Sequence, residues 1–131
     1  MEIKDRRVVV TGAASGIGKA LCIAFKESGA KSIVCVDMNI EGAIETADLV
    51  KGIAVLADVS KESDIINVID KANDLSGGID IFCSNAGIGG NPGFFESDTA
   101  DWNHIWGVNV QSHIYAAKHV LPQMMERGEG Y

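Results

Sequence analysis

Short runs of apolar, mostly β-branched residues alternate along the chain with longer stretches in which apolar residues recur every three or four positions. Each short run has the length and composition of a buried strand. The predicted strands are Arg7–Thr11, Ser32–Asp37, 53–57 and 80–84. Their nearly continuous hydrophobicity indicates that both faces of the sheet are covered, which is typical of parallel strands flanked by helices.

The longer stretches predict four helices, at 16–28, Ile40–Val50, 60–75 and 99–127. Gly29 is expected to end the first helix and Ser60 to cap the third at its N-terminus. Pro122 should kink the fourth, because proline cannot donate the backbone hydrogen bond of a helix interior.

The apolar stripes of these helices predict which faces pack against the sheet. The stripe of the third helix consists of Ile65, Ile69 and Ala72. The first helix has Ile17, Leu21, Ala24 and Phe25, and the last has Val110, Ile114, Ala117, Leu121 and Met124. Other apolar residues of the last helix lie off its stripe and indicate a second covered surface: Trp102, Trp106, Val120 and Met125.

Composition and charge narrow the classes of function. The 131 residues are 47% hydrophobic and suit a single globular domain spanning 1–131. The formal charge of -7 disfavours nucleic acid or an anionic membrane as partner and favours a small-molecule substrate. No secretion signal or apolar run of membrane length is present in the sequence, which predicts a cytoplasmic protein. Cys22, Cys35 and Cys83 then read as reduced thiols of the core.

A glycine-rich turn joins the first predicted strand to the first helix, in the segment Thr11-Gly12-Ala13-Ala14-Ser15-Gly16-Ile17-Gly18. Gly12 permits a tight turn, Gly16 lets the backbone approach a pyrophosphate, and Gly18 allows the helix to pack closely on the strand. The unpaired amides of the helix N-terminus then attract the anion. The segment, including Ser15 and Ile17, is therefore a predicted phosphate cradle.

Asp37 ends the second predicted strand, where a carboxylate can accept hydrogen bonds from an adenosine ribose. The following Met38 is also predicted to line the cofactor site. The Asp37 carboxylate would repel a ribose phosphate, and neither Ser15 nor Met38 offers a cation. NAD is therefore predicted over NADP. A P-loop is disfavoured because Gly18 is followed by Lys and Ala without the metal-binding hydroxyl, and a methyltransferase remains a distant alternative.

Four motifs in this order resemble the short-chain dehydrogenase/reductase family. Besides the glycine loop they are Asp58-Val59, Ser84-Asn85-Ala86-Gly87 and the segment around Asn109. The resemblance implies that Asp58 contacts the adenine amino group and that Asn109, through its main chain, orders a water of the proton relay. It adds Val59, Asn85, Ala86 and Gly87 to the predicted cofactor site. Ser84 replaces the family's first Asn, and its side chain is expected to bond to neighbouring backbone.

The resemblance also implies a Rossmann-type α/β fold: a doubly wound parallel sheet in three α/β/α layers, with strand order 3-2-1-4. The chain would carry this fold only as far as the fourth strand and the long helix, so the outer edge of the fourth strand is expected to be unpaired. Family members often pair their long helices between subunits, which predicts a homo-oligomer, a dimer or a tetramer. The glycine-rich loop 87–98 is expected to bind or gate a ligand.

The family transfers a hydride between nicotinamide and an alcohol or carbonyl carbon, with a Ser and a Tyr-x-x-x-Lys pair at the substrate oxygen. No such pair occurs here: Tyr115 precedes Lys118 by three residues and is expected to pack in a helix, while Gly130-Tyr131 looks like the lead-in to a fifth strand. Two hypotheses stay open, a part of an NAD-dependent oxidoreductase or a non-catalytic NAD-binding or oligomerisation module. The chain alone is predicted to be inactive under both. The three histidines are expected to be surface or packing residues and not metal ligands.

Overall fold

A computed structural model describes residues 2–89 and 93–131. It is a three-layer α/β/α structure around a parallel sheet of order β3-β2-β1-β4, as the sequence predicts. The strands are β1 (Arg7–Thr11), β2 (Ser32–Asp37), β3 (Ile53–Leu56) and β4 (Ile81–Cys83). The helices are α1 (Gly16–Glu27), α2 (Ile40–Val50), α3 (Glu62–Ser76), α4 (Thr99–Trp106) and α5 (Ser112–Arg127), with a π-helical segment at Gly107–Gln111.

The central strand β1 shows why both faces of the sheet are covered. Val8, Val9 and Val10 are each at most 1% exposed. Val9 belongs to a core cluster on the side of α3 and α5, whereas Val8 and Val10 belong to a second cluster on the side of α1. Because side chains alternate along a strand, a continuous apolar run supplies both cores at once.

Several predicted boundaries and faces need correction. β3 ends one residue earlier than predicted, and β4 is one residue shorter at each end. Ser60 does not cap α3, because the N-cap position is Lys61. The backbone amide and the hydroxyl of Ser60 instead donate to Asp58. Ile17, predicted to face the core, is 74% exposed, and α1 buries Gly18 and Cys22. In α3 the predicted face is confirmed, since Ile65, Ile69 and Ala72 are all buried.

The long helical stretch 99–127 differs most from its prediction. The interruption of α-helical geometry lies at Gly107–Gln111, not at Pro122, which sits inside α5. The face against the core repeats every four residues from the interruption onward: Val108, Ser112, Ala116, Val120 and Met124. Of the predicted stripe, Ile114, Ala117 and Leu121 are exposed instead. Val120, predicted to lie on a second surface away from the core, instead packs in the core and is only 3% exposed.

The outer edge of β4 is not unpaired, contrary to the prediction. The Phe82 amide donates to the carbonyl of Tyr131 at 2.9 Å, and the Tyr131 amide donates to the carbonyl of Asp80 at 3.0 Å. These bonds run along β4 as an added strand would, which agrees with the interpretation of Gly130-Tyr131 as a strand lead-in. No helix in the described part of the chain is long and apolar enough to span a membrane.

Candidate functional site

A cleft of about 430 Å³ opens at the carboxyl ends of the strands. Parallel strands end at the same edge, so loops that are far apart in sequence meet there. All twelve residues predicted to bind the cofactor line this one cleft: Gly12, Ser15, Gly16, Ile17, Gly18, Asp37, Met38, Asp58, Val59, Asn85, Ala86 and Gly87. The lining also includes four residues that sequence reasoning did not identify: Ala57, Ile88, His104 and Val108.

The glycine loop is shaped by backbone geometry that other residues would disturb. Gly12 has a φ of 71°, in the left-handed region. A Cβ atom on Gly18 would overlap the carbonyl group of Gly12, so α1 can approach β1 this closely only with glycine there. A Cβ on Gly16 would meet no protein atom within 4 Å, because this position faces open space. The loop therefore leaves room for a ligand against its own backbone.

The N-terminus of α1 adds unpaired donors to this loop. Ser15 occupies the N-cap position in extended conformation, but its hydroxyl accepts no capping hydrogen bond. The amides of the first turn therefore have no side-chain acceptor and carry the positive end of the helix dipole. This combination of a glycine loop and an uncapped helix N-terminus suits an anionic group such as a pyrophosphate.

Asp37 links the glycine loop to the end of β2. Its Oδ2 accepts from the Ala14 amide at 3.0 Å, and its Oδ1 accepts from the Asn39 amide at 2.9 Å. An ionised carboxylate has about four acceptor positions, so two such bonds leave room for ribose hydroxyl donors. Among the residues of the described chain that line the cleft, none is Lys or Arg.

Asp58 is held in its ionised form at the end of β3. Its Oδ1 accepts from the Ser60 amide at 3.1 Å and from the Ser60 hydroxyl at 2.6 Å, and Lys61 Nζ lies 3.3 Å from Oδ2. Burial alone would raise the pKa of Asp58, but the hydrogen bonds from Ser60 and the charge of Lys61 bring it below the ordinary value. Asp58 is therefore an acceptor at neutral pH.

Thr11 is buried and connects the end of β1 to β4 and the loop after it. Sequence reasoning missed this role, although Thr11 opens the glycine motif. Its hydroxyl donates to the Cys83 carbonyl at 3.3 Å and accepts from the amides of Asn85 and Ala86 at 3.0 and 3.1 Å. The Asn85 side-chain amide donates back to the Thr11 carbonyl at 2.9 Å. Thr11 is thus a positioning residue for the loop after β4.

Asn109 lies in the π-helical segment and does not line the cleft. Its side chain accepts from the Ile88 amide at 2.8 Å and donates to the Ile88 carbonyl at 2.9 Å. It therefore fixes the chain that follows the Asn85-Ala86-Gly87 motif. Its predicted role in a proton relay stays a prediction.

The three histidines have separate surroundings. His104 is exposed and lines the cleft. His113 Nδ1 lies 2.6 Å from the hydroxyl of Ser84, so this serine pairs with a side chain and not with neighbouring backbone as predicted. His119 Nε2 lies 2.8 Å from Glu62. Within the described residues no three His, Cys, Asp or Glu side chains are grouped as metal ligands.

The predicted loop 87–98 is only partly described, because 90–92 lie outside the described residues. Beyond that gap, the exposed Phe94 packs edge-on against Phe95 and against Trp102 of α4, with ring centroids 5.3 and 5.9 Å apart. Asp98 caps α4 by accepting from the amides of Ala100 and Asp101. The role of the loop in binding or gating stays a prediction.

Comparison with known proteins connects this geometry to a family. The family model described as short chain dehydrogenase matches residues 6–131. The chain is 35% identical to an uncharacterized oxidoreductase of Bacillus subtilis (strain 168), over 99% of this chain and 50% of that protein. It is 31% identical to a 7alpha-hydroxysteroid dehydrogenase of Escherichia coli (strain K12), over 99% of this chain and 52% of that protein.

Solved structures give the same picture. A short chain dehydrogenase/reductase from Burkholderia phymatum in complex with NAD superposes with a TM-score of 0.93 at 28% identity, over 98% of this chain and 47% of that one. A hydroxysteroid dehydrogenase from Escherichia coli superposes with a TM-score of 0.87 at 30% identity, over 98% of this chain and 53% of that one. The chain thus spans about half the length of these relatives.

Proposed function

This chain belongs to the short-chain dehydrogenase family, and from that premise we propose that it forms the NAD-binding part of an oxidoreductase. The reaction we propose is hydride transfer between nicotinamide and a secondary alcohol or ketone. The observation that carries the proposal is the meeting of all twelve predicted cofactor residues in one cleft. The presence of NAD in the Burkholderia phymatum neighbour and the hydroxysteroid substrates in the names of two relatives support it.

The residues of the cleft fit a dinucleotide. Gly16 leaves open space against the backbone, and the uncapped first turn of α1 supplies amide donors for a pyrophosphate. Asp37 has free acceptor positions for ribose hydroxyls, and Asp58 is an ionised acceptor at the end of β3. When bound, the nicotinamide supplies the hydride donor or acceptor. The protein's part is to bind and orient the dinucleotide along the strand ends.

Charge in the cleft supports NAD over NADP. A ribose phosphate would place about two negative charges beside the Asp37 carboxylate. Among the described lining residues there is no Lys or Arg to neutralise it, and the other ionised group is Asp58. Repulsion between these like charges opposes the binding of NADP. We therefore expect NAD to bind more tightly than NADP.

For the chemical step, we propose that Asn109 contributes to a proton relay, and that Ser and Tyr-x-x-x-Lys groups outside the present sequence act on the substrate oxygen. The 131-residue chain would then bind NAD without catalysing hydride transfer. The substrate classes that fit this proposal are steroids, sugars, polyols and acyl thioesters. We further propose a cytoplasmic homo-oligomer, a dimer or a tetramer, in which the exposed Trp106 and Met125 are covered.

The test is the shift of thermal or chemical unfolding with added nucleotide. A ligand at 100 times its dissociation constant stabilises the native state by about 2.7 kcal/mol. NAD should produce this stabilisation at lower concentration than NADP. Absence of any shift with NAD would contradict the proposed cofactor site.

A matched pair of variants separates ligand contact from backbone strain. Gly16 and Gly128 both have positive φ, of 53° and 69°, and a Cβ on either would meet no protein atom within 4 Å. Only Gly16 lines the cleft. Gly16→Ala should therefore weaken NAD binding, whereas Gly128→Ala should cost similar folding stability and leave NAD binding unchanged. Equal NAD affinity of the two variants would count against a ligand at the glycine loop.

A further inference from the structure

His104 is the one imidazole in the described lining of the cleft. Neither the four sequence motifs nor the family resemblance assigns it a role in binding. It lies near the end of α4, whose start is fixed by a capping box at Asp98. No side-chain hydrogen bond to the His104 ring occurs within residues 2–89 and 93–131. The ring is exposed at the cleft surface and available to a ligand.

Contacts around α4 place His104 at the Asp58 end of the cleft. The Gly107 amide donates to the carbonyl of His104, so both belong to one turn. A Cβ on Gly107 would lie 3.2 Å from the Cβ of Ser60, whose hydroxyl donates to Asp58. The last turn of α4 therefore lies against the turn that carries Asp58.

The surface next to His104 is apolar. Val108 is four residues later, on the same side of the helical stretch, and also lines the cleft. Val108 packs in one core cluster with Ala57 and Val59, two further lining residues from the end of β3. This end of the cleft thus combines aliphatic side chains, an imidazole ring and the ionised acceptor Asp58. Such a combination suits a flat heterocycle with an exocyclic amino group.

We propose that His104 is a specificity-determining residue that contacts the face of the adenine ring of the bound dinucleotide. The inference rests on the proposed function, because it assumes that the dinucleotide lies along this cleft with its base at the Asp58 end. The imidazole ring supplies a planar contact surface at the solvent side, while Val59 and Val108 supply the apolar one. The pyrophosphate then lies against the glycine loop, which forms a different part of the cleft lining.

The experiment measures dissociation constants of NAD, adenosine monophosphate and nicotinamide mononucleotide with the 131-residue chain by calorimetry. His104→Ala should weaken NAD and adenosine monophosphate by the same factor, about tenfold for a lost ring contact. Nicotinamide mononucleotide, which lacks the adenine ring, should bind the variant and the wild type with equal affinity. His104→Phe should keep NAD affinity within about twofold, because it retains a flat ring.

Two controls make the result specific. Asn103→Ala changes an exposed neighbour on α4 that does not line the cleft, and it should leave all three constants unchanged. Thermal unfolding without nucleotide should be the same for His104→Ala and wild type, since the His104 ring has no hydrogen-bonded partner to lose in the described structure.

Failure of the inference and failure of the proposed function give different outcomes. If the wild type binds NAD and His104→Ala binds it equally well, or loses only nicotinamide mononucleotide affinity, His104 does not contact the base. Loss of affinity in His104→Phe as large as in His104→Ala would also overturn a contact through the ring face. If the wild type binds none of the three nucleotides, the proposed function itself is refuted and the inference with it.

Discussion

Replacing Asp80 with Asn should destabilise the fold at neutral pH by about 2 kcal/mol. Asp80 lies just before β4, and its side chain is 8% exposed. Its Oδ2 accepts from the amide and Nε of Arg7 at 2.9 and 2.8 Å, and its Oδ1 accepts from Arg7 Nη2 at 2.5 Å. Arg127 lies 3.7 Å from the same Oδ1. Asp80 therefore joins the start of β1 to the start of β4 and to the end of α5.

The magnitude follows from the ionisation of this carboxyl group. Hydrogen bonds from the Arg7 side chain lower the pKa of Asp80 from 3.8 to about 2, against the opposing effect of burial. Because the folded-state pKa is the lower one, the stabilisation is present above the unfolded-state value of 3.8 and is lost as the pH falls towards 2. The difference corresponds to about 2 kcal/mol.

Urea unfolding of both proteins at a series of pH values between 7 and 2 measures this contribution. The free energy of unfolding should differ by about 2 kcal/mol at pH 7. The difference should shrink as the pH falls from about 4 towards 2, because Asp80 is protonated in the unfolded chain at a higher pH than in the folded protein. Asp74→Asn, on the exposed side of α3, serves as the matched control and should have little effect. A difference below 0.5 kcal/mol at pH 7, or one that does not depend on pH, would refute the reasoning.

Three further substitutions test the construction of the cleft. Gly18→Ala forces a Cβ against the Gly12 carbonyl group and should cost about 1–3 kcal/mol of stability and most NAD affinity, measured by denaturation and calorimetry. Unchanged NAD affinity would contradict the close approach. Thr11→Val leaves two amides after β4 without their acceptor and should cost about 2–3 kcal/mol; normal protection of these amides in hydrogen exchange would refute this. Asn109→Leu removes both bonds to Ile88 and should cost about 1–2 kcal/mol, with faster exchange of the Ile88 amide.

Sequence reasoning was most successful where the physical signal is local. A buried strand needs a continuous apolar run, and β1 and β2 occupy the residues that such runs predict. The glycine loop needs particular backbone angles at Gly12 and Gly16, which only a few residue types adopt readily. The residues at the ends of β3 and β4 were predicted from the family resemblance of their motifs, and they meet the glycine loop in one cleft because parallel strands end at one edge.

Sequence-based predictions failed where the buried face of a helix depends on packing against segments that are distant in the sequence. In the stretch 99–127 the largest apolar side chains suggested one stripe, but the π-helical segment and close packing on the core select small residues such as Ser112 and Ala116. The prediction for Ser60 failed for a different, local reason. Its hydroxyl donates to Asp58, two residues earlier in the chain, and does not cap α3.

The sequence by itself determined the strands, the glycine loop and the family of the chain, because these rest on backbone conformation and on residues close together along the chain. Only the tertiary structure decided the buried face of α5, the pairing of Tyr131 with β4 and the position of His104 in the cleft. Each of these depends on contacts between segments far apart in sequence, whose strength is set by packing and distance and leaves no local periodicity to read.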